Sequence, residues 1–199
     1  MNQKLEDYKH IDLSEVGSTR SAIYKCCVTS VIKCGMLMNL NVDVNKMELK
    51  IAKQKAEQAV CYLSPYCERI EVVGSIRREC DSVNDVDIIL IPNEKFTLDF
   101  VNTLNPKKKG PKLIMYELEG TQIDLYICTE SNWEVIKLIR TGSAFHNAKL
   151  CQLAIRKGLH LKAGGDGLVD DDSNVISNTE EGILKNLLGK NVEPKERIN

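Results

Sequence analysis

Val73-Gly-Ser-Ile-Arg-Arg-Glu-Cys-Asp-Ser-Val-Asn-Asp-Val-Asp-Ile-Ile-Leu90 is the stretch that decides the fold. It opens with a Gly-Ser turn and two arginines. Seven residues after Arg78, Asp85 and Asp87 flank a single valine. Residues two apart on a strand share a face, so a strand over Asp85 to Pro92 presents both carboxylates to one site. Val86, Ile88 and Leu90 then face a core. Like charges held together in a fold call for a cation between them. Oxygen ligands from few side chains suit Mg²⁺, which keeps waters and takes further ligands from substrate phosphates. The Gly-Ser-Ile-Arg-Arg segment offers backbone N–H groups, a hydroxyl and guanidinium forks, the donors that phosphates need. The stretch by itself predicts metal-dependent chemistry on a nucleoside triphosphate.

The 199 residues suffice for one domain or two small ones. A net charge of −1 gives no global basic signature, although lysines cluster at Lys107 to Lys109 and near the C-terminus. One basic face would still serve a nucleic acid. The plainer reading of Lys107 to Lys109 is a solvated loop. Eight cysteines form no C-x-x-C pair, and most stand among apolar neighbours as small core residues. No secretory signal or long apolar run is present, so a soluble, intracellular chain with reduced thiols is expected, with no membrane partner.

Polar residues 2–13 read as an arm, and Ser14 to Leu40 as an amphipathic helix packed on the main domain. Asn45 and Glu48 have the spacing of a capping box for a helix to Tyr66, with Ile51, Ala52, Lys55, Ala59, Val60 and Leu63 on one face and Pro65 at its end. Strands are expected over Arg69 to Val73, Leu113 to Leu118 and Thr121 to Cys128, the last two joined at Glu119-Gly120. A short helix lies within Asn93 to Leu104, and Asn105 to Pro111 is a lysine-rich loop. Asp124 stands between Ile123 and Leu125, and an aspartate inside an apolar strand needs a partner or a metal. With Asp85 and Asp87 on another strand, it reads as a third metal ligand. Helices follow over Glu130 to Ile139 and Ala144 to Lys157, the latter closed by Gly158. A small hairpin occupies Leu159 to Ile176. Thr179 caps a last helix ending at Gly189, before a polar tail. The acidic run Asp170 to Asp172 lacks the downstream Glu of a calcium loop and reads as a solvated turn.

This pattern resembles the family X DNA polymerases. The residues that carry the likeness are Gly74, Ser75, Arg77 and Arg78 with Asp85 and Asp87, then Asp124 in Gln-Ile-Asp-Leu-Tyr. Behind them come Thr141, Gly142, Ser143 and Asn147, a small hairpin, and the closing Glu193-Pro194-Lys195…Arg197. The likeness covers about Asn45 to Arg197. It implies an α+β fold: a nucleotidyltransferase palm over residues 45–139, with a mixed sheet flanked by helices, and a small α/β thumb with a hairpin over 140–199. Residues 1–44 remain an N-terminal arm and helix of unknown role.

The resemblance implies a minimal DNA-directed DNA polymerase, a monomer that adds deoxynucleotides to a primer 3′-hydroxyl and fills short gaps in DNA repair. Asp85, Asp87 and Asp124 would hold two Mg²⁺ ions, with Mn²⁺ as a substitute. Ser75 and Arg78 would hold the β and γ phosphates from the Gly74 turn, with Arg77 in support. Thr141 and Gly142 would floor the sugar and Asn147 would reach the base edge. Arg140, Lys149 and Arg156 would contact the primer-template or gapped DNA. Ile139-Arg140 stands where the family often has an aromatic pair, Gln122 where an arginine usually neighbours the third aspartate, and Ala144 and Cys151 where residues monitor the nascent pair. Low fidelity is therefore expected. The deoxyribose-phosphate lyase domain does not fit in the first 45 residues, so no lyase activity is expected. The alternatives are a template-independent or RNA-directed nucleotidyltransferase, and a catalytically silent nucleic-acid-binding protein.

Overall fold

The computed structural model describes residues 46–198, which fall within one unit, Leu40–Asn199. The expected arm, the helix over Ser14 to Leu40, Asn45 as a cap, the segment on which the expectation about a lyase domain rests, and Cys26, Cys27 and Cys34 lie outside the described residues.

A five-stranded sheet is built from β2 (Cys67–Val72), β4 (Val86–Pro92), β5 (Lys108–Lys109), β6 (Leu113–Leu118) and β7 (Thr121–Ile127), in the order β2-β4-β7-β6-β5. Only β4 and β7 are parallel; the other neighbours run antiparallel. Both faces of β4 are covered, which is why it reads as an unbroken apolar run rather than an alternating one. Ile88 and Leu90, with Ile123 and Leu125 of β7, pack on Ala52, Ala56, Ala59 and Leu63 of α1 (Leu49–Leu63) and on Phe100 and Val101 of α3 (Leu98–Thr103). Ile89 and Ile91, with Tyr126 and Cys128, pack on Val73 and Trp133. Three small alanines let α1 lie close against the sheet.

Several expectations change in detail. Helix α1 begins at Leu49, because Met47–Glu48 form β1, which pairs with β3 (Ser82–Val83). Glu48 becomes the N-cap with no side-chain bond to the helix. The buried stripe is Ala52, Ala56, Ala59 and Leu63, and Ile51 is 46 % exposed. Lys108 and Lys109 are edge-strand residues paired with Met115 and Ile114, not a loop. The Gly74-Ser75 turn is the start of a one-turn helix, α2 (Gly74–Arg77). Of the described cysteines, Cys128 is buried, Cys61 exposed and Cys67, Cys80 and Cys151 half-buried.

The C-terminal part packs α4 (Trp133–Thr141), α5 (Ala144–Arg156) and α6 (Glu180–Leu188) around Val135, Leu138, Leu150, Ala154, Ile183 and Leu187. A three-stranded sheet of β8 (His160–Lys162), β9 (Gly167–Val169) and β10 (Val175–Ser177) takes the place of a simple hairpin. Helix α6 starts as its sequence asks: Thr179 accepts the Gly182 amide at 3.1 Å. It ends at Gly189, whose φ of 75° is the left-handed conformation a C-cap needs.

The tail is not a loose polar end. Val192 and Arg197 are buried. Arg197 donates to the Val192 carbonyl and, at 2.6 Å, to Glu180 Oε1. Glu180 also accepts Arg77 Nη1 and Nη2 at 2.7 and 2.8 Å, so one carboxylate joins α2, α6 and the tail. Burial pushes the Glu180 carboxyl up, and the Arg77 and Arg197 hydrogen bonds overcome this and hold it below its ordinary value. His146 is buried on α5; burial, then the charges of Arg197, Lys149 and Arg78, lower its pKa to about 4.

Glu180→Ala leaves two guanidinium groups facing a vacancy and should destabilise the chain by about 3–5 kcal/mol in urea unfolding; a loss below ~1 kcal/mol would show that the cluster does not hold the tail. The neutral His146 predicts a second result. The unfolded chain takes a proton near pH 6.5 that the buried ring refuses until about 4, so this site drains stability as pH falls through that window. His146→Phe should therefore gain on wild type by about 2 kcal/mol between pH 7.5 and 4.5. A difference that is flat with pH would refute the neutral, buried imidazole.

Candidate functional site

Strand β4 is preceded directly by Asp85 and carries Asp87 as its second residue. The parallel register pairs Asp87 with Asp124. Adjacent strands lie about 4.8 Å apart, so these two side chains leave the same face side by side. That face also carries Tyr126, whose phenol donates to Asp87 Oδ1 at 3.2 Å. Gln122 donates to Asp124 Oδ1 at 2.9 Å. Burial, and then the charges of Asp85 and Asp124, push the Asp87 carboxyl up to about 7. Burial raises Asp85 as well, with Asp124 adding to it, and burial raises Asp124. The three acids thus lie near one another, two at the start of β4 and one in the middle of β7.

The phosphate-type turn is pressed against the same point. Val73 donates its amide to the Asp87 carbonyl at 2.9 Å. Gly74 has a φ of 67°, and a Cβ there would collide with the Asp87 carboxylate. Only glycine satisfies both demands. Ser75 Oγ and Arg78 Nε are buried without hydrogen-bond partners. Buried polar atoms are seldom left so, and orphaned donors in a turn suit an anion.

Arg77 and Arg78 have different tasks. Arg77 gives its guanidinium to Glu180 and to Thr141 Oγ1 at 2.7 Å, so it braces α4 and α6. Arg78 holds the Thr141 carbonyl at 2.6 Å with one nitrogen and keeps Nε unpaired. Thr141 is fully buried and Gly142 follows it. A Cβ on Gly142 would strike Asn147 Oδ1. Asn147 spends its amide nitrogen on the Ile139 carbonyl at 2.8 Å, closing the α4–α5 junction, while Oδ1 stays buried and unpaired.

Lys149 and Arg156 are exposed on α5, on one stripe with Phe145 and Gln152. Phe145 is 51 % exposed and went unnoticed in the sequence, although its i, i+4 spacing from Lys149 was visible there. Arg140 lies elsewhere, with its guanidinium carbon 4.1 Å above the Tyr126 ring. Glu180 was also missed, since a glutamate in a first helical turn usually needs no further reason. Beside Asp85 opens a cleft of ≈ 490 Å³ lined by Lys46, Lys55, Asn84, Gly120 and Gln122.

Among the described residues, no group of three or more His, Cys, Asp or Glu side chains is already gathered as a metal site. Asp87 and Asp124 each give one oxygen to a neighbour instead. The donor set nonetheless fits a hard divalent cation: carboxylate oxygens only, on neighbouring strands, all three raised by burial and Asp85 and Asp87 also by neighbouring carboxylates.

Residues 137–198 match the family description DNA polymerase beta thumb. No curated protein matches the chain in sequence. Among solved structures, polymerase beta of Leishmania infantum in a ternary P/T complex is similar at a TM-score of 0.63 with 15 % identity, covering 94 % of this chain and 95 % of that one. The same enzyme in a ternary gap complex gives 0.62 and 15 %, covering 92 % and 86 %. No helix among the described residues is long and apolar enough to cross a membrane. The chain therefore resembles the family X polymerases in fold: a mixed sheet flanked by helices, followed by a segment similar to the polymerase beta thumb.

Proposed function

We propose that the chain is a template-directed DNA polymerase that adds deoxynucleotides to a primer 3′-hydroxyl and fills short gaps in repair. The observation that carries this reading is the register setting Asp87 beside Asp124, with Asp85 two residues before and the Gly74 turn pressed on Asp87. The likeness to polymerase beta complexes with P/T and gap substrates supports it.

In this reading Asp85, Asp87 and Asp124 hold Mg²⁺. Bound there, divalent metal supplies Lewis-acid activation of the hydroxyl and of the phosphate. Ser75 Oγ and Arg78 Nε bind phosphate oxygens of the incoming nucleotide. Thr141 and Gly142 form a floor for its sugar, and Asn147 Oδ1 accepts from its base. The primer O3′ bonds to the α-phosphorus while the bond to the leaving oxygen breaks, and pyrophosphate departs. The Asp124 carboxylate receives the hydroxyl proton. Lys149, Arg156 and Phe145 lie along a face suited to a nucleic-acid backbone and an unstacked base.

Insertion of one deoxynucleotide into a one-nucleotide gap, with Mg²⁺, tests the proposal. Asp124→Ala should lower the rate by roughly 10²–10⁴-fold. No insertion by the wild type, or an undiminished rate in the variant, would refute it; extension of single-stranded ends with ribonucleotides alone would favour a template-independent transferase.

A further inference from the structure

Arg140 occupies the last turn of α4, yet its guanidinium turns to the sheet and stacks on Tyr126 at 4.1 Å. The Tyr126 phenol in turn donates to Asp87 Oδ1. An arginine over an aromatic ring whose hydroxyl is bonded to a carboxylate forms a continuous path to the acidic cluster. The positive charge of Arg140 acts on both Asp87 and Asp124. Other cations near the cluster are Arg78, acting on Asp85, and Lys108, acting on Asp124, while Lys46 and Lys55 line the cleft beside Asp85. Arg78 is tied to the Thr141 carbonyl and Arg77 to Glu180. Gln122, bonded to Asp124, brings no charge.

The geometry points to Arg140 as the resident counter-ion of the Asp85, Asp87 and Asp124 cluster, standing in for a divalent cation while none is bound and linked to Asp87 through Tyr126. This rests on the metal-site reading above and replaces the expectation that Arg140 contacts DNA. A guanidinium is suited to the task, since it stays charged and stacks on an aromatic face. Two consequences follow from placing two cations near the same carboxylates. Arg140 supports the metal-free fold, and it opposes metal binding by repulsion. It is a positioning residue, because it reaches the acids through the field and through Tyr126.

The test uses the full chain without DNA or nucleotide. Mn²⁺ binding is followed by the loss of the free-ion paramagnetic resonance signal, and melting temperature is measured in chelator and in saturating Mn²⁺. Arg140→Met should bind Mn²⁺ roughly three- to tenfold more tightly at low salt, with the gain shrinking as salt rises. Its melting temperature should fall below wild type in chelator and return to it with Mn²⁺. Arg140→Lys, which keeps the charge, should stay within about twofold of wild type in affinity. Unchanged Mn²⁺ affinity in Arg140→Met, or an equal loss of melting temperature with and without metal, overturns the proposal. So does an effect confined to DNA binding. Asp87→Asn separates the two readings: wild-type binding that this substitution abolishes, with Arg140→Met unaltered, overturns the counter-ion alone. Absence of wild-type binding, or binding that survives Asp87→Asn, overturns the metal site and the counter-ion with it.

Discussion

One parallel strand pair governs the molecule. In a sheet whose other neighbours are antiparallel, β4 and β7 run together and set Asp87 opposite Asp124. A one-residue slip would send one of the two acids into the α1 face, among Ala56, Ala59 and Leu63, where an unpaired carboxylate is prohibitive. The apolar residues on both faces of β4 prevent that slip. The same packing therefore enforces a repulsive arrangement where the start of β4 meets the middle of β7. Asp87 shows this most plainly, with its carboxyl pushed up to about 7. The core stabilises the sheet and in doing so holds together charges that would otherwise separate.

A second constraint joins that site to the C-terminal helices. Glu180 accepts three guanidinium N–H groups from Arg77 and Arg197. Buried ion pairs add little net stability against apolar packing, but breaking one side is expensive. Their value here lies in geometry. Arg77 follows Ser75 by two residues and reaches Thr141, while its neighbour Arg78 holds the Thr141 carbonyl. The turn beside Asp87 and the end of α4 are thus tied together, and the tail is fastened to the α4–α5 junction, since Ser143 donates its hydroxyl to the Ile198 carbonyl at 2.9 Å and its amide to the Arg197 carbonyl.

Much of this was legible in the residues. Alternation, the Asp-Val-Asp spacing, the Glu119-Gly120 turn, Thr179 and Gly189 are local signals, each readable within a few positions. What escaped was long-range. The start of α1 at Leu49 depends on Met47 pairing with Val83, a partner 36 residues away in sequence. Lys108 and Lys109 look like a loop until β6 offers them an edge. Glu180 and Arg197 look like a helix-start acid and a tail cation until Arg77 arrives between them. Arg140 reads as a surface cation in sequence, and only the face of β7 shows that an aromatic ring and two carboxylates lie beneath it.

The remaining polar atoms explain why the site has the form of a receptor rather than of a filled core. Ser75 Oγ, Arg78 Nε and Asn147 Oδ1 are buried and unpartnered, and each such atom costs the fold about 1–3 kcal/mol. Two of these side chains are held through another atom: Arg78 keeps one nitrogen on the Thr141 carbonyl, and Asn147 keeps its amide nitrogen on the Ile139 carbonyl. Arg78 and Asn147 are thus each oriented by bonds from a nitrogen and left with one atom to offer. The Gly74 and Gly142 backbones lie so close to Asp87 and Asn147 that a Cβ at either position would collide with them. A ligand with anionic oxygens at the turn and a donor at Asn147 would recover this cost without reorganising the protein, which is the physical meaning of a preorganised site.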